Sequence, residues 1–420
     1  LKLTVPIHHV DETELIRSLK TGQSISIRDA KWQITPKREQ PFELKISDPL
    51  ESIKIIGNVS PSYPLQKKNH SLSFLRSLPI LKHRSTYLGA LTRFRSHVEL
   101  SIFEFFGEHG FTKVSPPILT SSDCEGAGEL FKVQSSSNDD SYFGKPTYLT
   151  VSTQLHLEIL TMALSRCYAL TPCFRAERSD TNRHLSEFWM VEAEICFIDN
   201  VLDLTKFVEI MLKHVIQSCY DNVDRLLPNV VLQESLNKIQ IKERWESLLQ
   251  RPWATISYTE AIKALKKQHC QEPFPNYEPV WGESLQTEHE KWLAGEYFKS
   301  PVFVTDYPRD CKAFYMKTNR PSSPGEETVA CFDLLVPEMG EIVGGSIRED
   351  SYDHLVEEIR RRQMNKSGEL DWYTSLRAEG TAPHGGFGLG LERLVSYLFG
   401  NLNIKDAIPF HRNASKSIEL

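Results

Sequence analysis

The stretch Thr381-Ala382-Pro383-His384-Gly385-Gly386-Phe387-Gly388-Leu389-Gly390-Leu391-Glu392-Arg393-Leu394 decides how the chain is read. Four of the six residues 385–390 are glycine, which permits tight bends and close approach of backbone to a ligand. The run passes without a breaker into the apolar, helix-compatible segment from Leu391 to Phe399. Glycine-rich chain feeding a helix suits an anion, and Arg393 falls in the first turns of that helix. The same residues equally suit a glycine-rich strand leading into a buried helix, with Arg393 paired to a carboxylate. Partners elsewhere in the chain must decide between the two.

At 420 residues and 48.2 kDa the chain is long for one core, so two domains are expected, with room for an inserted third. A formal net charge of -6 excludes a generally basic nucleic-acid coat but allows a local basic face. Eight cysteines without a CxxC pair or His-Cys cluster predict neither a zinc site nor a disulfide framework. No apolar run reaches transmembrane length, so no membrane partner and a reducing compartment are expected.

In residues 1–58, Ser24-Ile25-Ser26-Ile27-Arg28, Glu43-Leu44-Lys45-Ile46 and Ile53-Lys54-Ile55-Ile56-Gly57 predict short strands rather than helices, about half of a small β-barrel. The proline-bearing, basic Ser60 to His70 reads as a hinge. From Tyr87 to His109, Phe94, Val98, Ile102, Phe105 and Phe106 recur at helical spacing and predict a long helix ending at Gly110. Gln154 to Leu170 reads as an apolar helix, residues 201 to about 295 as a helical insertion, and Val302 to Thr305 as a strand of the main sheet. The expected class is α+β.

The densest chemistry lies in Thr171 to Glu194. Arg175 and Glu177, two apart on an expected strand, share a side. A polar turn with Arg178, Arg183 and His184 precedes a strand carrying Glu187, Trp189 and Val191 on one face and Phe188, Met190 and Glu192 on the other. So many charges are expensive to bury unless they pair with each other or meet a charged ligand. Asp333 and Glu341 sit in apolar strands that a turn at Pro337 to Gly340 can fold together, a pair suited to Mg2+. In the loop at Ser121 to Phe131, Asp123 and Glu125 could receive an ammonium group.

Taken in order, the helix and strand ending at Pro117, Phe174-Arg175-Ala176-Glu177 with its arginine-histidine turn, and Gly388-Leu389-Gly390-Leu391-Glu392-Arg393 resemble the three signature motifs of the class II aminoacyl-tRNA synthetases. Asp123 to Phe131, Phe143 to Pro146, Tyr148 to Glu158, His184 to Trp189, Val304 to Phe314 and Gly340 to Glu349 look like the branch specific for asparagine. The resemblance implies an antiparallel sheet flanked by helices in a catalytic domain over 85–420. It also implies an OB-like anticodon-binding domain, incomplete here, over 1–58, joined by a linker over 59–84. Where the aspartate-specific branch resembles Gln-Ser-Pro-Gln-Leu-Tyr-Lys-Gln, this chain has Val151 to Glu158, with Leu157 in place of the lysine. A neutral amide needs no second cation, which favours asparagine.

Residue by residue, the resemblance implies that Glu125 and Gln154 orient the amino acid, that Arg348 reaches its side chain and that His384 lies over its pocket. Arg175 would grip the α-phosphate and Phe188 would stack on adenine. Glu177 would face the ATP, Arg183 or His184 the β,γ-phosphates, and Arg393 the γ-phosphate. Asp333 and Glu341 would hold Mg2+. The partners implied are ATP, L-asparagine, tRNA(Asn) and a second copy of the chain through about residues 87–119. The implied setting is the mitochondrial matrix or, second, a bacterial cytoplasm. Activation of aspartate, or a synthetase-like paralogue that charges no tRNA, remains the alternative reading.

Overall fold

A computed structural model describes the chain apart from residues 1, 5–9, 37–41, 122–129, 136–141, 180, 229–234, 320–325, 366–367, 415–417 and 419–420. It divides into two units, Leu1–Leu81 and Lys82–Leu420. In the first, Lys2–Thr4, Phe42–Lys45 and Lys31–Ile34 form one small sheet, and Ser24–Ile27 pairs antiparallel with Ile53–Gly57 in another. The expected strands are present, but the unit is not purely β. Val10–Ser18 is a helix, and Asp48 caps a second short one at Pro49–Ser52 by accepting from the backbone N–H groups of Leu50 and Glu51. Leu72–Arg76, beyond the proline-bearing stretch, is helical too.

The second unit is built on an eight-stranded sheet. In chain order its strands are β1 (Thr112–Lys113), β2 (Arg166–Phe174), β3 (Glu187–Cys196), β4 (Ala254–Ser257), β5 (Val302–Thr305), β6 (Cys331–Val336), β7 (Gly340–Ile347) and β8 (His384–Gly390). Their spatial order is β4-β5-β6-β7-β8-β3-β2-β1. The centre is antiparallel, and only the outer pairs β4–β5 and β1–β2 are parallel. Within 201–295, read from sequence as helical, Ala254–Ser257 is extended and supplies the edge strand β4. Four residues between helices are too few to show a period.

The helices used below are α1 (Thr86–Glu108), α2 (Gln154–Leu164), α3 (Val201–Asp221), α4 (Lys238–Gln250), α5 (Tyr258–Gln271), α6 (Thr287–Trp292), α7 (Tyr352–Arg361), α8 (Asp371–Ala378) and α9 (Leu391–Phe399). Helix α1 starts where the Ser85 side chain accepts from the Leu88 N–H, and it buries Phe94, Val98, Ile102, Phe105 and Phe106 completely. Phe94 meets Trp245 of α4 at 5.9 Å and Phe399 of α9 at 5.2 Å. Truncating such an anchor to alanine typically costs about 3–5 kcal/mol. Helix α2 stops at Leu164, short of the expected Leu170, because Ser165 takes a positive φ of 65° and turns the chain into β2.

Strand periodicity then sorts β3. Val191, Ala193 and Ile195 are buried on one face. On that face Phe387, the cross-strand partner of Ala193, lies 6.3 Å from Phe207 of α3. Phe188, Met190, Glu192 and Glu194 point to the opposite face, where the polar chemistry gathers. Strand β8 crosses that face with almost no side chains. A Cβ on Gly386 would overlap the Glu194 carboxylate, and one on Gly388 would stand 2.6 Å from the Met190 methyl. Neither glycine has a positive φ, so here they provide room rather than a bend.

Candidate active site

At one end of this face, β2 and β3 finish their ladder at Phe174 and Glu187. Sequence reasoning put Arg175 and Glu177 on the strand. They instead lie in the loop just beyond it, with the Arg175 N–H donating to the Ser186 carbonyl at 3.0 Å. Both still line one cleft of about 150 Å3 with Arg183, His184, Phe188, Glu341 and Arg393. The Arg175 guanidinium stands 5.5 Å from the Phe188 ring centre. Arg393, in the first turn of α9, donates to the Glu341 carbonyl at 2.8 Å and lies 3.6 Å from its carboxylate. Arg183 reaches across to α6, donating to Thr287 at 2.8 Å and facing Glu290 at 3.5 Å. Gly340, at φ 78°, makes the tight β6–β7 turn, and a Cβ there would strike Glu290 and Arg183.

Three arginines and three glutamates line the cleft, and one of the acids, Glu392, is already paired with Arg95. Burial and then Arg393 hold His184 below its ordinary range, and its ring sits against the Thr181 and Ser179 hydroxyls at 2.6 and 3.1 Å. Desolvation raises the Glu341 carboxyl, but Arg393, Lys312, Arg175 and Arg183 outweigh it and hold the group below the usual carboxylate range. The hairpin brings Asp333 toward the same spot. A Cβ on Gly344 would lie 3.2 Å from a Glu341 oxygen and 3.5 Å from an Asp333 oxygen. Lys312 donates to both oxygens of Asp333, at 2.7 and 2.6 Å. Among the described residues no group of three His, Cys, Asp or Glu is placed to hold a metal by itself. Two converging carboxylates nevertheless fit a hard cation that brings phosphate oxygens as its other ligands.

Further along the face a second set of polar groups is almost wholly buried. Arg348, at the end of β7, grips Glu194 of β3 through its Nε (3.3 Å) and one terminal nitrogen, and donates to the Ser346 hydroxyl at 2.6 Å. Glu158 of α2 is fully buried and satisfied from four directions: Gln154 at 3.0 Å, Tyr373 at 2.9 Å, Arg377 at 2.7 Å and His384 at 3.0 Å. Glu192 accepts from the Thr153 N–H at 2.9 Å and from the Ser152 and Thr153 hydroxyls. Burial pushes the Glu194 carboxyl up, to about 7, against the pull of Arg348 and with the help of the Glu158 charge. Glu158 goes the other way: Arg377 and His384 overcome its desolvation and keep it ionised.

Thus one cleft collects Arg175, Glu177, Arg183, His184, Phe188, Glu341 and Arg393, while Gln154, Arg348 and His384 belong to the buried cluster. Glu125 lies outside the described residues. Leu157 is fully buried against Cys167 and Ala169 of β2, and Cys167 is the cross-strand partner of Glu194. Sequence reasoning assigned no part to Glu158, Glu194, Tyr373 or Arg377. The only signal was acids inside apolar runs, Val191-Glu192-Ala193-Glu194 above all.

Comparison with known proteins identifies the family. The family of tRNA synthetases class II (D, K and N) matches residues 73–414. The chain is 60% identical over 432 aligned residues to the mitochondrial asparagine–tRNA ligase of Saccharomyces cerevisiae, covering 100% of this chain and 87% of that protein. It is 41% identical over 411 residues to the asparagine–tRNA ligase of Microcystis aeruginosa, covering 96% and 86%. The asparaginyl-tRNA synthetase of Pyrococcus horikoshii, solved with asparaginyl-adenylate, superposes with a TM-score of 0.82 at 29% identity over 99% of this chain and 89% of that one. The chain belongs to the class II tRNA synthetases and, within them, to the asparagine–tRNA ligases.

Proposed function

We propose that the two polar regions divide the synthesis of asparaginyl-tRNA between them, the cleft handling ATP and the buried cluster the amino acid. One observation carries this reading: Arg175, Arg183, His184 and Arg393 surround a single cleft that also holds an aromatic face, Phe188. In activation the asparagine carboxylate attacks the α-phosphorus in line and pyrophosphate leaves. The 3′ hydroxyl of tRNA(Asn) then attacks the mixed anhydride. No side-chain nucleophile is needed, because the work is positioning and neutralisation of developing phosphoryl charge. Arg175 faces the α-phosphate, Arg183 or His184 the β,γ-phosphates, Arg393 the γ-phosphate, Phe188 the adenine, and Glu177 the ATP. Glu341, with Asp333 as second ligand, would hold Mg2+, which supplies positive charge to the polyphosphate.

Selection of asparagine follows from charge. The buried cluster has three carboxylates, Glu158, Glu192 and Glu194, against two guanidinium groups, Arg348 and Arg377, and Arg348 is already engaged by Glu194. No surplus cation is left to draw a second substrate carboxylate, so a neutral amide is favoured. Gln154, His384 and Arg348 then orient it, with Glu125 at its ammonium. Pyrophosphate exchange with asparagine against aspartate, followed by charging of tRNA(Asn) transcripts, tests the reading. Preference for aspartate would refute the charge argument, and activation without charging would move the chain to the paralogue.

Three further assignments belong to the same proposal. The N-terminal unit reads the anticodon, while the turn from Arg178 to His184 meets the acceptor end. A homodimer forms through about 87–119, supported by the exposure of Leu100, Ile118 and Leu119 (62%, 37% and 40%) in that segment; a monomer at micromolar concentration in sedimentation counts against it. Placement in the mitochondrial matrix rests on the 60% identity to the mitochondrial ligase of Saccharomyces cerevisiae. No described helix is long and apolar enough to cross a membrane.

A further inference from the structure

Beside the ATP cleft, and sharing Arg183 with it, is a second cavity of about 340 Å3. Its described lining carries three cations, Arg183, Arg244 and Lys291, and one acid, Glu338. Arg244 and Glu338 satisfy each other through two contacts of 2.8 Å, and Arg183 faces Glu290. Lys291 has no hydrogen bond or ion pair among the described residues. Burial and then the neighbouring Arg183 push its ammonium below the ordinary lysine range. The Ser396 hydroxyl and the Asn401 side-chain oxygen, 0% and 1% exposed as residues, have no hydrogen-bond partner among the described residues. Glu290 and Glu338 pull the other way from a distance, so a part-buried ammonium with no direct partner, beside Arg183 and Arg244, suits a small anion.

We propose that this chamber binds inorganic pyrophosphate on its way out of the ATP cleft, with Lys291 as its charge partner and Arg183 as the wall common to both. The inference rests on the activation reading, in which pyrophosphate is the first product released. The size suits a small polyphosphate rather than a nucleic-acid backbone, whose sites are open grooves. Arg183 links the two spaces because its guanidinium borders both.

The test compares Lys291→Met and Lys291→Arg with the unmodified protein in two assays. In the first, asparagine-dependent exchange, Lys291→Met raises the KM for pyrophosphate about tenfold, the loss of one charge-assisted contact. The KM for ATP in adenylate formation moves less than about twofold, and Lys291→Arg restores most of the pyrophosphate affinity. In the second, calorimetric titration with inorganic pyrophosphate alone, Lys291→Met weakens binding by a similar factor. An unchanged KM for pyrophosphate overturns the proposal. So does an ATP KM that rises in step, because Lys291 then belongs to the ATP tail itself. Absence of exchange in the unmodified protein would refute the activation reading instead, and the titration still decides whether the chamber takes pyrophosphate.

Discussion

The ATP cleft and the buried cluster lie on one face of one sheet, yet they treat charge in opposite ways. In the cleft, Arg175, Arg183 and Arg393 stand around Glu341, whose side chain is 39% exposed, and of the three lining glutamates Glu392 is already held by Arg95, which leaves Glu177 and Glu341 facing the three arginines. In the cluster, Arg348, Arg377, Glu158 and Glu194 are no more than 3% exposed and neutralise one another. Two glutamates show the contrast: surrounding cations hold Glu341 below the usual range, whereas burial lifts Glu194 to about 7. A region that must attract a polyanion keeps positive charge available. A region that must recognise an uncharged amide has its charges already paired, so that they fix geometry and add no net attraction.

The sharpest way to break this contrast is to remove a cation from the cleft. Arg175→Ala is expected to lower kcat/KM for asparagine-dependent pyrophosphate exchange about 10³-fold, the effect of deleting one charge-stabilising donor, with little change in melting temperature. Normal exchange in that variant would sink the assignment of the cleft. Removing a charge from the cluster should act on stability instead. Glu158→Gln leaves Arg377 buried without its counter-charge and is expected to cost about 3 kcal/mol in urea unfolding. A stability within about 0.5 kcal/mol of the parent would show that the cluster is not held together by pairing.

A smaller effect addresses selectivity. Glu194→Gln frees the Arg348 guanidinium to act as a cation, so the preference for asparagine over aspartate is expected to fall about tenfold in competition exchange. An unchanged ratio would mean that charge balance does not set the choice. The same variant carries the weakest prediction, a pH dependence. Because the folded-state pKa of Glu194 lies above its ordinary 4.5, its contribution to stability is complete below that value and is lost as the pH rises through about 7. Melting temperature followed between about pH 5 and 8 should therefore fall less steeply in Glu194→Gln than in the parent. Parallel curves would contradict the upward shift.

What could be seen in the sequence tracks the range of the interactions. The cleft was legible because its charged residues cluster locally, Arg175, Glu177, Arg183 and His184 within ten residues, and because Arg393 directly follows a glycine-rich strand. Helix α1 was legible from its period alone. The cluster was not, since Glu158 meets Tyr373 across 215 residues and its meaning depends on helix phase. Position 157 turns toward Cys167, while position 158 turns into the polar groups. Leu157 and Glu158 are therefore adjacent in sequence but lie in different surroundings, one apolar and one polar. Strand β4 and the helix at Val10–Ser18 were missed because short elements take their structure from neighbours rather than from their own period.

The bare stretch of β8 has one more consequence. Gly386 leaves the space that the Glu194 carboxylate occupies, so the two positions share a single volume across neighbouring strands. Over evolutionary time they are expected to covary: a side chain can arise at 386 only where 194 has become smaller. An alignment of relatives in which 386 gains a side chain while 194 stays glutamate would break that rule. If it holds, substrate choice in this family is guarded partly by a residue with no side chain.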